Sequence, residues 1–482
     1  MGWIEKLYVE PSFHFKYWAF EWVQVPGQSG LYLLYAGIAT AAALVALGLF
    51  YRFAIIAFWC LFSYAELMDV STYLNHYYFV SLLALILCGL SPHRAWSLDA
   101  WRRPALRAST LPAWQSWWLR FQVGLLYFYA GWAKFETDWL LHAQPLNIWL
   151  PPHSGMPLIG WALDEVWVHY AFAWFAFAFD VTIIGFMLWK RARPLAFAVV
   201  LLFHLLTHLF FNIGLFPFIM VLAVLVFFEP DWPRRLWRAL GHGLSEAAAV
   251  LGVPGWSRRA VSVRTRGFAA RRPAASQSGG HPVLPPYGPD PRPHRALLPP
   301  TLEHTAQPAI AAPTPNITPL RGVFAAVIVA FCLLQFLLPL RHWLYPGTVL
   351  WHEQGMRFSW RVMLREKSGA LSYQVHLPDG QVRIVSPHDY LIPMQYQEMA
   401  GQPDLILQLA HHIRDDFAAR GLGPVQVYAD SWVALNGRRA ARMIDPKVDL
   451  AQVEDGLSRA HWILPAPQEA PPTHPPLKLA GR

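Results

Sequence analysis

Long apolar runs separated by short charged loops dominate the first half of the chain. Most of the runs approach the roughly 20 residues that an α-helix needs to cross the hydrocarbon core of a membrane. The pattern therefore predicts about eight membrane-spanning helices. The predicted spans lie at 29–49, 51–67, 73–90, 116–134, 167–189, 194–211, 213–229 and 321–340.

The pattern changes near residue 357, where short apolar stretches alternate with turn residues. The stretches 358–364, 371–377, 382–385 and 425–435 are typical of strands, and Pro378-Asp379-Gly380 is typical of a hairpin turn. Residues 405–419 have the spacing of an amphipathic helix. The predicted fold class is a polytopic α-helical membrane protein with a C-terminal β-rich extramembrane domain.

These patterns divide the chain into five parts. A membrane domain at 1–240 is followed by a Pro/Arg-rich linker at 241–320, which is predicted to be disordered. The last membrane helix is predicted at 321–343, the external domain at 344–464 and a disordered tail at 465–482. Basic residues occupy alternate loops, and placing these loops in the cytoplasm puts both the N-terminus and the C-terminal domain outside.

Composition supports an integral membrane protein. Only 14% of the residues are charged and 55% are hydrophobic, whereas a soluble domain carries about 25% charged residues. Most of the arginine that produces the net charge of +9 lies beside apolar runs, where it sets topology, so no nucleic-acid partner is expected. The three cysteines fall inside apolar segments and are expected to be free thiols.

Lys134 is the leading candidate for chemistry, because it ends a long apolar run. Ionisable residues within a membrane are costly, so they mark functional sites by default. Burial favours the neutral amine of a lysine, and a neutral amine can act as a base. The alternative is that Lys134 snorkels to the membrane surface and has no chemical role.

Two pairs of polar residues in the predicted helices have alternative interpretations. His204 and His208 lie on one helix face and could form half of a metal site, but hydrogen bonding between helices is favoured and no metal is expected. Asn75 and His76 open an apolar helix, where they could cap and pack it. They could also face Lys134 in one pocket near the outer leaflet, since both positions lie at external helix ends.

Several strings of residues, taken in their order and spacing, resemble the vitamin K-dependent gamma-glutamyl carboxylase family. The membrane part of that family is also called the horizontally transferred transmembrane (HTTM) domain. The matching strings lie at 67–76, 127–139, 203–217, 229–234, 336–342, 428–436 and 445–449.

The resemblance implies a membrane enzyme of the carbon–carbon lyase class that couples two reactions. Reduced vitamin K, a menaquinol-type naphthohydroquinone, is oxygenated to its epoxide, and this generates a strong base. The base removes a γ-proton from a glutamate of a protein or peptide, and the carbanion captures carbon dioxide. Oxygen and carbon dioxide are therefore co-substrates, and membrane lipid and quinone are the other expected partners.

The resemblance also implies roles for individual residues. Lys134 matches the base that starts hydroquinone oxidation, and His76, beside Asn75, matches a residue that assists at the quinone. The stretch 355–360 resembles the region that contacts glutamate. The residues expected to bind substrate are Phe358, Ser359, Trp360 and His204.

The chain also departs from the family pattern. Ala133 replaces the first of two adjacent lysines found in animal relatives, and Arg361 replaces an acidic residue, which puts the peptide contacts in doubt. The resemblance implies that the family's first membrane helix is missing, and a truncated gene model or a start codon placed too late is the expected explanation. The high arginine, alanine and proline content suggests a bacterial member in the inner membrane, with its C-terminal domain in the periplasm. The alternatives are a quinol oxygenase that does not carboxylate protein, and a non-catalytic membrane scaffold or transporter.

Overall fold

A computed structural model describes residues 2–211, 213–240 and 319–472. One compact unit covers the chain up to Glu229 and from Val329 onward, and a second unit lies within Pro230–Ile328. Most of the predicted linker, 241–318, and the end of the predicted tail, 473–482, lie outside the described residues.

The membrane half consists of long apolar helices joined by shorter ones. Short helices cover Leu98–Arg102, Thr137–His142 and Leu146–Trp149. The longer helices are α1 (Gln28–Leu47), α2 (Tyr51–Leu67), α3 (Asn75–Gly89), α4 (Ala113–Ala133), α5 (Val166–Leu188), α6 (Arg193–Phe210), α7 (Phe216–Ala223) and α8 (Pro319–Leu337).

The predicted number of eight spans is wrong. Within the described residues, four helices are long and apolar enough to cross a membrane, and six at most if two bent pairs each count as one span. Helices α2 and α3 are short, at 17 and 15 residues. Helix α4 carries Arg120 and Gln122 among its apolar residues, and the predicted span 213–229 breaks at the end of α7.

A shared apolar core holds helices α4, α5 and α6 together. Its buried residues include Leu126 of α4, Ile183 of α5 and Val200 of α6. These helices present apolar side chains around much of their circumference, because one side meets protein and the other side meets lipid. The packing places the C-terminal half of α4 beside α5, where Gly131 lies close to Asp180 and Val181.

The C-terminal domain contains a small antiparallel sheet. Its strands are β1 (Lys367–His376), β2 (Val382–Val385), β3 (Gln426–Leu435) and β4 (Ala441–Arg442), in the order β2-β1-β3-β4. The predicted hairpin turn joins β1 to β2, and Tyr373 pairs with Val385 on one side and with Ala429 on the other. Every second residue of β3 is buried, as expected for a sheet with one covered face.

Helices complete the C-terminal domain. Short helices cover Val349–His352 and Pro393–Met399, and helix α9 spans Pro403–Ala419. The α9 helix covers the buried face of the sheet, where the Tyr373 hydroxyl donates to the Ile406 carbonyl at 2.8 Å. This helix follows the amphipathic spacing predicted for 405–419.

The predicted strand at 358–364 is wrong. The backbone angle φ is positive at Phe358, Trp360 and Met363, with values of 62°, 59° and 56°. Extended strands require negative φ, so this stretch turns back on itself instead. The turns bring the start of the C-terminal domain against the membrane helices.

Buried polar contacts join the C-terminal domain to the loops between membrane helices. Asp69 is fully buried, and its Oδ2 lies 2.9 Å from His14 Nδ1 and accepts from Gln395 Nε2 at 3.0 Å. Arg438 donates to both carboxylate oxygens of Asp138 at 2.6 Å. Burial raises the pKa of Asp138, but the bonds from Arg438 and Asn436 outweigh it, so the pKa is lowered overall.

Part of the predicted tail, 465–472, is described and contacts this junction. Arg438 Nε donates to the Glu469 carbonyl at 2.7 Å, and Gln144 Nε2 donates to the Pro472 carbonyl at 2.8 Å. These bonds attach the end of the described chain to both the C-terminal domain and the segment after α4.

Candidate active site

Lys134 follows the last residue of α4 and meets Asp180 on α5. The Lys134 Nζ donates to Asp180 Oδ2 at 2.7 Å and to the Ala130 carbonyl at 3.2 Å. Gly131 allows the two helices to approach closely, because a Cβ at this position would lie 2.8 Å from Val181 Cγ2 and 3.2 Å from Asp180 Cβ. The small residue one turn before the lysine therefore permits the pairing.

The Lys134–Asp180 pair is buried within the protein, with side-chain exposures of 7% and 6%. Lys134 Nζ also lies 5.3 Å from the centre of the Trp139 ring. Lys134 therefore does not extend to the protein surface, as a snorkelling side chain would. The pair can hold its proton on the amine or on the carboxylate, and its overall charge is zero in both forms.

Sequence reasoning did not single out Asp180. Its signal was present, since it is a single carboxylate in the apolar run 167–189. Intramembrane acids, like intramembrane lysines, mark functional sites. The two residues lie 46 positions apart, so their pairing follows from helix packing and not from any local motif.

Lys134 and Asp180 line a narrow cavity, which we call the apolar cavity. It holds about 80 Å³ of space, and its walls are mostly aromatic and aliphatic side chains. His204 also lines it, and His204 Nε2 lies 3.0 Å from the Tyr127 hydroxyl. The other ring nitrogen, His204 Nδ1, is buried without a hydrogen-bond partner among the described residues. The cavity thus combines a buried ion pair with a histidine whose Nδ1 can form one further hydrogen bond.

Asn75 and His76 do not line the apolar cavity. The His76 ring packs against Phe216, with ring centres 5.9 Å apart, and Phe216 is itself a wall of the apolar cavity. Asn75 Oδ1 accepts from the Tyr73 hydroxyl at 3.0 Å, and both residues line a different cavity. The structure therefore brings His204 to Lys134 and leaves His76 one side chain away.

This second space, which we call the polar cavity, lies at the start of the C-terminal domain. It holds about 620 Å³, and basic side chains outnumber acidic ones around it. The charged residues that line it are Arg357, Arg361, Arg365, Lys367, Glu353, Glu366 and Glu398. A space with this lining suits an anionic ligand.

Ion pairs organise the polar cavity. Lys367 Nζ lies 2.8 Å from Glu353 Oε1, and Arg365 lies 3.2 Å from Glu353 Oε2. Burial lowers the pKa of Lys367 to about 8, although Glu353 acts in the opposite direction. Arg361 lies 2.6 Å from Glu136. Burial raises the pKa of the Glu136 carboxyl, and Arg361 only partly offsets this effect.

The residues predicted to bind substrate at 358–360 lie behind the cavity walls. Trp360 is fully buried, and its ring stacks on Tyr78 with centres 5.0 Å apart. The Phe358 backbone N–H donates to the Tyr73 hydroxyl at 3.0 Å, and Ser359 is 3% exposed. These three residues anchor the turn, while Arg357 and Arg361 on either side of it reach the polar cavity.

Two family models match the chain. The HTTM domain matches residues 1–232, and the lumenal domain of vitamin K-dependent gamma-carboxylase matches residues 321–469. The chain belongs to the vitamin K-dependent gamma-carboxylase family. No solved structure matches it. The stretch between the two matches, 233–320, includes the predicted linker at 241–320.

A carboxylase of this family uses reduced vitamin K, and the apolar cavity fits that group chemically. Lys134, Asp180 and the unpartnered His204 Nδ1 could contact its hydroxyl groups, and the surrounding rings suit a naphthalene ring system and an isoprenoid chain. Ligand pockets usually hold about 300–1,000 Å³, whereas this cavity holds about 80 Å³. Entry of a quinol therefore requires wall side chains such as Phe203 and Phe216 to move.

Proposed function

We propose that this protein couples oxidation of a reduced naphthoquinone to carboxylation of protein glutamate. The observation that carries the proposal is the buried Lys134–Asp180 pair in an apolar cavity, beside a polar cavity with an excess of basic groups. Quinol oxidation needs a base that is shielded from water, whereas glutamate carboxylation needs groups that bind a carboxylate. The apolar cavity offers the first and the adjoining polar cavity offers the second.

In the apolar cavity, Lys134 accepts a proton from a hydroxyl of the hydroquinone. It can do so when the proton of the pair resides on Asp180, because only the neutral amine is a base. His204 Nδ1 positions the quinol ring through its free hydrogen-bonding capacity. When bound, reduced vitamin K would supply the strong base for the second reaction through its oxidation by oxygen, with the epoxide and one molecule of water as the products.

In the polar cavity, basic side chains hold the glutamate. Arg357, Arg361 and Lys367 supply charge that complements a carboxylate, although each is also paired within the protein. The glutamate loses its γ-proton and gains carbon dioxide at the same carbon. By the distribution of basic loops, this domain lies outside the cell membrane, in the periplasm of a bacterial host.

The test uses the purified full chain in lipid nanodiscs with reduced menaquinone, oxygen, labelled bicarbonate and a glutamate-containing peptide. We expect both menaquinone epoxide and label in the peptide. Epoxide without peptide label would support a quinol oxygenase that does not carboxylate protein. Absence of both products would contradict the proposal.

A further inference from the structure

One side chain lines both cavities. Met363 lines both the apolar and the polar cavity, and no other residue described around them lines both. Its neighbours are divided between the two sides, since Val362 lines only the apolar cavity and Leu364 lines only the polar cavity. Met363 therefore lies at a boundary between the two cavities. A second contact between their walls is the hydrogen bond from Trp149 Nε1 to Glu366 Oε2 at 2.7 Å.

The backbone around Met363 is held firmly. Met363 has a φ of 56°, in the left-handed region that residues with a side chain rarely adopt. Such a conformation persists only where surrounding contacts impose it. In the same turn, the Trp360 ring is buried and Arg361 pairs with Glu136. The flexible part of this segment is the methionine side chain.

The chemistry of methionine suits this position. Its side chain is unbranched and flexible, so it can move aside and return. Its thioether has no acidic proton, so it cannot neutralise a strong base. It is also apolar, so it separates water in the polar cavity from the base in the apolar cavity.

We propose that Met363 is the partition between quinol oxidation and glutamate carboxylation, and that it determines how tightly the two reactions are coupled. The proposal rests on the proposed function. With the partition in place, the base takes its proton from the glutamate γ-carbon. With the partition removed, the base takes a proton from water instead. The hydroquinone and oxygen then still yield epoxide and water, and no carbon dioxide is consumed.

The first arm of the test measures both products for Met363→Ala and Met363→Leu. For the alanine variant, we expect carboxylated glutamate per epoxide to fall by up to about 10²-fold, the scale for a reacting group misplaced by about 1 Å. Leucine fills similar space and should retain most of the coupling. Met443→Ala, which removes a buried methionine away from both cavities, is the matched control and should keep the ratio. Equal ratios for wild type and Met363→Ala would overturn the proposal.

The second arm does not depend on activity. Thr207 lines the apolar cavity, and Thr207→Cys can be introduced in a background with Cys60, Cys88 and Cys332 replaced. A water-soluble maleimide should label this cysteine faster with Met363→Ala than with Met363→Leu. Equal labelling rates would overturn the partition. If the wild-type protein made no epoxide, the proposed function would fail, and this labelling would still decide the role of Met363.

Discussion

The apolar and polar cavities differ in the number and arrangement of their charged side chains. The apolar cavity confines its charge to one buried pair, Lys134 and Asp180, among aromatic walls. The polar cavity is larger and contains a network of ion pairs around Glu353. The difference teaches that one chain can keep a dry proton-transfer site next to a charged binding site, provided that a wall separates them.

Removal of Lys134 should have the largest effect on activity. General-base catalysis contributes about 10²- to 10⁴-fold in rate, so Lys134→Ala should lose epoxide formation by a factor in this range. Carboxylation should fall with it, because it depends on the base made by quinol oxidation. Lys134→Arg should fail too, since a guanidinium stays protonated. Epoxide yield by liquid chromatography is the measurement.

The control for this prediction is Lys190→Ala, which removes an exposed lysine that pairs with Glu229. It should retain activity. A Lys134→Ala protein that forms epoxide at the wild-type rate would show that the apolar cavity does not contain the base.

The buried Lys134–Asp180 pair should also affect the free energy of unfolding. Breaking a buried pair by removing one partner costs about 3–5 kcal/mol, because the other charge is left without compensation. Lys134→Met should therefore lower the thermal unfolding temperature. The double variant Lys134→Met/Asp180→Leu should recover much of the loss while staying inactive. If the two single effects simply added in the double variant, the two side chains would not be energetically coupled.

Asp180→Asn should have a smaller effect on activity. The amide keeps the shape of the side chain but cannot take the proton of the pair. We expect the rate of epoxide formation to fall about tenfold, the scale of a lost orienting contact. Asp180→Glu, which restores a carboxylate, should recover part of the lost rate of epoxide formation. A rate for Asp180→Glu as low as that for Asp180→Asn would indicate a purely structural role.

The smallest expected effect is the pH dependence of glutamate-peptide binding in the polar cavity. The pKa of Lys367 is lowered to about 8. The side chain is therefore charged below this pH and neutral above it. The KM for the glutamate peptide should rise as the pH passes about 8, while epoxide formation should not follow this change. Lys367→Arg, which stays charged, should remove the rise. A rise that persists in the arginine variant would assign the titration to another group.

The sequence predicted which kinds of element and which candidate residues the chain contains better than it predicted how they are arranged in space. The lysine in an apolar run identified Lys134, and strand alternation identified the sheet of the C-terminal domain, because both signals are local. The partner Asp180 and the separation of Asn75 and His76 from Lys134 depend on how distant helices pack. The structure has turns where a strand was predicted at 358–364, because φ is positive at Phe358, Trp360 and Met363. Local apolar composition does not reveal such a backbone.

The central claim is that the base made in the apolar cavity acts on glutamate in the polar cavity. Release of tritium from a peptide tritiated at the glutamate γ-carbon tests it most directly, because it reports proton removal without carboxylation. We predict release by the wild-type chain only when both reduced menaquinone and oxygen are present, and none above background from Lys134→Ala. Tritium release that is independent of the quinol, or that persists in Lys134→Ala, would contradict the account.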